Sequence, residues 1–85
     1  MSTFSVLVEV RPREGIANPE GQTIQRALAG LGYSGVAGVR VGKAIRFTIE
    51  AGDEATARSQ VEELCRRFLT NPVIEDADIR LEATV

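Results

Sequence analysis

Phe4-Ser5-Val6-Leu7-Val8-Glu9-Val10 decides the fold. Phe4, Val6, Val8 and Val10 recur at every second position, and three of the four are β-branched. That is the signature of a strand with one face in a core. Leu7 on the opposite side makes the second face partly apolar. Arg11-Pro12-Arg13-Glu14-Gly15 ends the pattern, because Pro removes a donor and Gly permits a turn. Downstream, Asn18-Pro19-Glu20 starts a helix: the Asn side chain accepts from an orphan N–H, Pro suits the first helical position, and Glu complements the dipole. Ile24, Ala27, Leu28 and Leu31 form one apolar stripe, and Gly32 supplies a left-handed stop. Gly21 and Gly30 weaken this helix by up to about 1 kcal/mol each, so it depends on packing.

Two extended runs follow, Val36–Val41 and Ala44–Glu50, joined at Gly42-Lys43. In the second, Ile45, Phe47 and Ile49 alternate with Arg46, Thr48 and Glu50. A glycine-containing turn between two such runs predicts a hairpin. Asp53 is placed to cap a second helix, with Ala57, Val61, Leu64 and Phe68 at helical spacing and Asn71-Pro72 as its stop. A final strand begins near Asp76 and aligns Ala77, Ile79, Leu81 and Ala83. The order β-α-β-β-α-β predicts an α+β chain, a single domain over 1–85. Its expected form is a two-layer ferredoxin-like sandwich, with two helices on one face of a four-stranded antiparallel sheet. The outward charges Glu9, Arg40, Arg46, Glu50, Arg80 and Glu82 alternate in sign. The open edges of such a sheet and the small size of its core favour a homo-oligomer.

Composition narrows function. The 85 residues include no His, which removes the commonest neutral-pH acid-base group and the commonest metal ligand. A single Cys cannot form an internal disulfide and fits a reducing cytoplasm. Ten basic against twelve acidic residues, net charge −2, disfavour nucleic-acid binding. Neither a secretory signal nor a membrane span is expected.

Individual candidates for chemistry fare no better. Gly42-Lys43 precedes a strand, whereas a phosphate loop feeds a helix. Glu75, Asp76 and Asp78 lack the glycine and distal Glu of a calcium loop and are expected as a solvated acidic patch. Cys65 lies on the core side of its helix with no activating base, and packing is its expected role. An acylphosphatase-like hydrolase could draw on Arg11 or Arg13, but the only asparagines, Asn18 and Asn71, sit at helix ends. An RNA-binding sheet needs several exposed aromatics, and Phe4 and Phe47 are expected to face the helices. A small regulatory ligand-binding module of ACT type stays open as the alternative.

Four pieces in order carry a more specific message: Asn18-Pro19-Glu20-Gly21, Leu31-Gly32-Tyr33, Val39-Arg40-Val41-Gly42-Lys43 with Ile49-Glu50, and Asn71-Pro72-Val73-Ile74-Glu75-Asp76. Together they resemble the PurS family over about residues 4 to 82. The resemblance implies a non-catalytic small subunit of phosphoribosylformylglycinamidine (FGAM) synthase, in purine synthesis. It implies as partners a synthetase subunit, PurL, a glutaminase subunit, PurQ, and a second copy of the chain as a dimer, with a tetramer also open. It further implies help with ammonia transfer, no cofactor on this chain, and ATP, magnesium and glutamine used by the partner subunits. By the same resemblance, Arg40, Gly42, Lys43, Asn71, Pro72, Glu75 and Asp76 are expected at oligomer or partner contacts. Turn and helix-stop duties also account for Gly42 and for Asn71-Pro72, which leaves Arg40 and Lys43 as the stronger interface candidates.

Overall fold

The side-chain alternation of Phe4–Val10 drives the architecture as expected. In the computed structural model, which describes residues 1–84, β1 (Ser2–Pro12) is the centre of an antiparallel sheet. It is flanked by β2 (Lys43–Ala51) and β3 (Glu75–Ala83), giving the order β2-β1-β3. Val6 pairs with Phe47 on one side and Leu81 on the other; Val8 pairs with Ile45 and Ile79. Phe4, Val6, Val8 and Val10 are all buried. Their face meets α2 (Glu54–Leu64), whose Ala57 and Val61 are fully buried against them.

The helix caps follow from the sequence. Asn18 Oδ1 accepts from the Gly21 amide at 2.9 Å to open α1 (Pro19–Gly30). Gly32 closes it at φ +97°, while the Tyr33 amide donates back to Leu28 O at 2.9 Å. Asp53 Oδ1 accepts from the Thr56 amide at 2.7 Å to open α2. That bond, supported by the Thr56 hydroxyl, holds the Asp53 carboxyl below its ordinary value.

The fourth strand does not form. The expected four-stranded ferredoxin-like sheet has three strands, and Gly42-Lys43 is not a hairpin, because Lys43 already pairs with Val10 of β1. Residues 36–42 run as irregular chain instead. Gly38 adopts φ +69°, a left-handed kink that a straight strand does not accommodate. The polar backbone atoms that a ladder would use are taken by α1 and its cap. The Val39 amide donates to Gln25 Oε1 (3.2 Å) and the Val41 amide to Asn18 Oδ1 (3.2 Å), while Asn18 Nδ2 donates to Val41 O (3.0 Å). Asn18 is buried and ties the helix start to this segment.

A second correction concerns the core face of the second helix. Leu64 and Phe68 were expected inward, yet Phe68 is 83% exposed and Leu64 40%. After Leu64 the helix widens into one π-helical turn, Cys65–Leu69, closed by the Thr70 amide and hydroxyl on Cys65 O (3.0 and 2.8 Å). Inward positions then fall at strict fourth-residue spacing, Ala57, Val61, Cys65 and Leu69, and Phe68 turns to solvent. Cys65 is buried, and burial raises its thiol pKa.

Nor do both helices cover the sheet. Helix α1 packs extensively on no strand, and its stripe stays open: Ile24 is 41% and Leu31 73% exposed. The radius of gyration, 16.7 Å, exceeds the roughly 12 Å of a compact domain of this length. The molecule measures 52 × 29 × 14 Å.

Candidate functional site

The strand register explains why the sequence candidates meet. Val10, Arg11 and Pro12 of β1 lie opposite Lys43, Asp76 and Glu75, so the start of β2 and the start of β3 share one end of the sheet. All seven residues singled out from the sequence lie on this end or on the turns leading to it.

Most of them have a duty within the chain. The Arg40 guanidinium donates from Nη2 to Arg13 O and Ile16 O, both at 3.0 Å, and so clamps the loop after β1. Gly42 passes so close to Val10 O that a Cβ would collide with it. Asn71 builds the turn before β3: its carbonyl accepts from the Glu75 amide (2.8 Å), its Oδ1 accepts from the Val73 amide (3.2 Å), and its amide donates to Glu75 Oε1 (2.7 Å). Asp76 pairs with Arg13 at 3.3 Å, beside an Arg11–Asp78 pair at 2.8 Å. These exposed pairs contribute on the order of 0–1 kcal/mol each, but they fix where the charges lie. Lys43 and Pro72 remain exposed, and no ion pair includes Lys43 among the described residues.

Arg40 thus has a scaffold duty as well as an exposed position. The arrangement also accounts for the other basic and acidic candidates: Arg11 and Arg13 are paired with carboxylates, and Glu75 is bound to its own turn. Among the described residues no three potential metal-ligating side chains gather. A groove of about 400 Å³ runs between Arg11, Glu14, Arg40 and Asp76, with both signs of charge on its walls. Sequence reasoning missed two large exposed apolar side chains near this end, Val73 at 79% and Phe68 at 83% exposure. The signal for Phe68 lay in the fourth-residue spacing of Ala57, Val61, Cys65 and Leu69.

Fixed turns, mixed exposed charge and unburied apolar side chains are the equipment of a protein–protein contact surface on a small α+β scaffold. The comparisons with known proteins agree with that class. The family model of PurS, phosphoribosylformylglycinamidine (FGAM) synthase, matches residues 5–83. The PurS subunit of Methanocaldococcus jannaschii is 40% identical over 79 residues, covering 93% of this chain and 95% of that one. The crystal structure of M. jannaschii PurS superposes with TM-score 0.85 at 39% identity, over 96% of this chain and 99% of the other. A chain in the structure of PurLQS from Thermotoga maritima superposes with TM-score 0.88 at 32% identity, over 96% and 100%. The chain belongs to the PurS family, the small subunit of FGAM synthase. The alternative of a ligand-binding regulatory module is not favoured by these likenesses.

Proposed function

We propose that this chain works without a reacting centre of its own, bridging a PurL-type synthetase and a PurQ-type glutaminase so that ammonia released by one reaches the other. The supporting observation is its full-length likeness to a chain of PurLQS, joined to a candidate end that offers contacts rather than nucleophiles. On this reading the chain holds no cofactor, and ATP, magnesium and glutamine are used by its partners. Its place is the cytoplasm; no helix among the described residues is long and apolar enough to cross a membrane.

The same reading makes the chain a homo-oligomer, at least a dimer. A monomer leaves Ile24 and Leu31 of the α1 stripe exposed to water. Burying such a stripe returns about 25 cal/mol per Å² of apolar surface, enough to favour association of a small chain. Interface roles for Arg40, Gly42, Lys43, Asn71, Pro72, Glu75 and Asp76 belong to the same proposal. Lys43 gives the cleanest test, because it makes no contact that the fold needs. Lys43→Glu is expected to weaken binding to the synthetase–glutaminase pair about tenfold while leaving the far-ultraviolet dichroism and melting temperature in place. Titration by light scattering or interferometry reads the effect, and unchanged affinity would remove Lys43 from the interface.

A further inference from the structure

The turn that closes the second helix puts its largest apolar side chain in water. In an unbroken α-helix, Phe68 returns to within about 20° of the direction of Val61, seven residues earlier, and enters the core. The widened turn Cys65–Leu69 rotates it away, so that Leu69 packs on the cluster of Val6, Val8, Val10, Val61 and Cys65 while Phe68 stays 83% exposed. The Thr70 amide and hydroxyl hold that turn open on Cys65 O at 3.0 and 2.8 Å. Insertions of this kind inside helices recur at functional sites. Here the insertion exchanges a buried aromatic for a presented one.

The surroundings of Phe68 are cationic. Arg66 and Arg67 precede it, both exposed; Arg67 pairs with Glu63 at 3.0 Å, and Arg66 joins no ion pair among the described residues. Lys43 continues the series Ile45, Phe47, Ile49 and therefore lies on the helix-bearing face. It stands at the same end as Phe68, since its ladder partner Val10 belongs to the cluster that Leu69 covers. Val73, 79% exposed, projects from the turn that follows. The carboxylates of this end are already engaged: Asp76 by Arg13, Asp78 by Arg11, and Glu75 by the Asn71 amide. The same corner of a second copy would therefore set cations against cations.

We infer that Phe68 anchors a contact with a different protein, one that offers an apolar socket rimmed by carboxylates, with Arg66 and Lys43 meeting the rim. Aromatic and arginine side chains are the residues that interface centres favour, and charge of one sign around the knob selects a partner of the other. The inference rests on the bridging reading above and gives that contact its central side chain.

The test titrates the full chain by interferometry against a PurL-type synthetase and a PurQ-type glutaminase, separately and together. Phe68→Ala is expected to raise the dissociation constant about 30–100-fold, the size of effect that truncating a central anchor produces. Phe68→Leu, which keeps an apolar knob, is expected to lose far less. Arg66→Glu is expected to weaken binding about tenfold, with the loss shrinking as salt is raised. Because Phe68 is exposed, the melting temperature and sedimentation of the chain alone are expected to stay as in the wild type. A wild type that binds while Phe68→Ala binds equally well would overturn the anchor and leave the bridging reading standing. Altered sedimentation of Phe68→Ala with unchanged binding would assign the knob to copy-to-copy contact and overturn the inference too. A wild type that binds neither partner would overturn both.

Discussion

Asn18→Ala is expected to lower the unfolding free energy by about 2–4 kcal/mol, far more than an exposed helix cap is worth. One side chain does three things there. Its Oδ1 accepts from the Gly21 and Val41 amides at 2.9 and 3.2 Å, and its Nδ2 donates to Val41 O at 3.0 Å. Loss of the cap accounts for about 0.5–2 kcal/mol. The remainder comes from Val41, a half-buried residue whose N–H and C=O both lose their partner and are only partly reached by water. Urea unfolding reads the total, and hydrogen exchange at Gly21 and Val41 reads its location. Asn18→Asp separates the two parts, because aspartate keeps the cap but cannot donate to Val41 O. A loss under 1 kcal/mol for Asn18→Ala would mean that the clasp between α1 and residues 39–41 contributes little.

The second large effect reverses an ordinary rule. Gly→Ala inside a helix stabilises by roughly 0.5–1 kcal/mol, because alanine restricts the unfolded chain and favours the helix. At Gly30 a Cβ meets nothing, and that gain is expected. At Gly21 the Cβ would overlap Val39 O and crowd Asn18 Oδ1, both part of the same clasp. Neither is a flexible side-chain end free to swing away, so the helix start must separate from residues 39–41. Gly21→Ala is therefore expected to cost about 2–3 kcal/mol. Opposite signs for the two variants in one denaturation series confirm the packing of α1 against the 36–42 segment. Equal stabilisation would place that segment elsewhere.

Both predictions concern the part of the chain where the sequence misled. Period-two alternation fixed β1, β2 and β3 because each buries one face and wets the other, and the caps at Asn18, Asp53 and Gly32 are local chemistry that needs no tertiary knowledge. Val36–Val41 carried the same apolar content without the same fate. Its β-branched residues suit a strand, but Gly38 bends the backbone and side chains of α1 and its cap, remote in sequence, take the hydrogen bonds a ladder needs. The inward face of α2 was half legible. Ala57, Val61 and Cys65 could be read as inward positions, whereas Leu69 takes the place expected of Phe68 where one turn widens.

The candidate end shows the same division. The turn duty of Asn71 could be read from residue type, whereas Gly42 forms no hairpin turn and is needed small because it passes against Val10 O. The clamp that Arg40 places on the carbonyls of Arg13 and Ile16 could not be read in this way, since it joins residues far apart in the chain. The exposure of α1 was invisible too: an amphipathic stripe in a sequence states that something covers it, not which chain does.

The central claim is that this chain couples two other proteins without performing chemistry itself. The most direct measurement is FGAM synthesis by a PurL-type synthetase and a PurQ-type glutaminase, driven by glutamine or by ammonia, with and without the chain. Glutamine-driven synthesis is expected to fall at least tenfold when the chain is left out, while the ammonia-driven rate of the synthetase stays the same. Equal glutamine-driven rates with and without it, and no complex on mixing, would contradict the account.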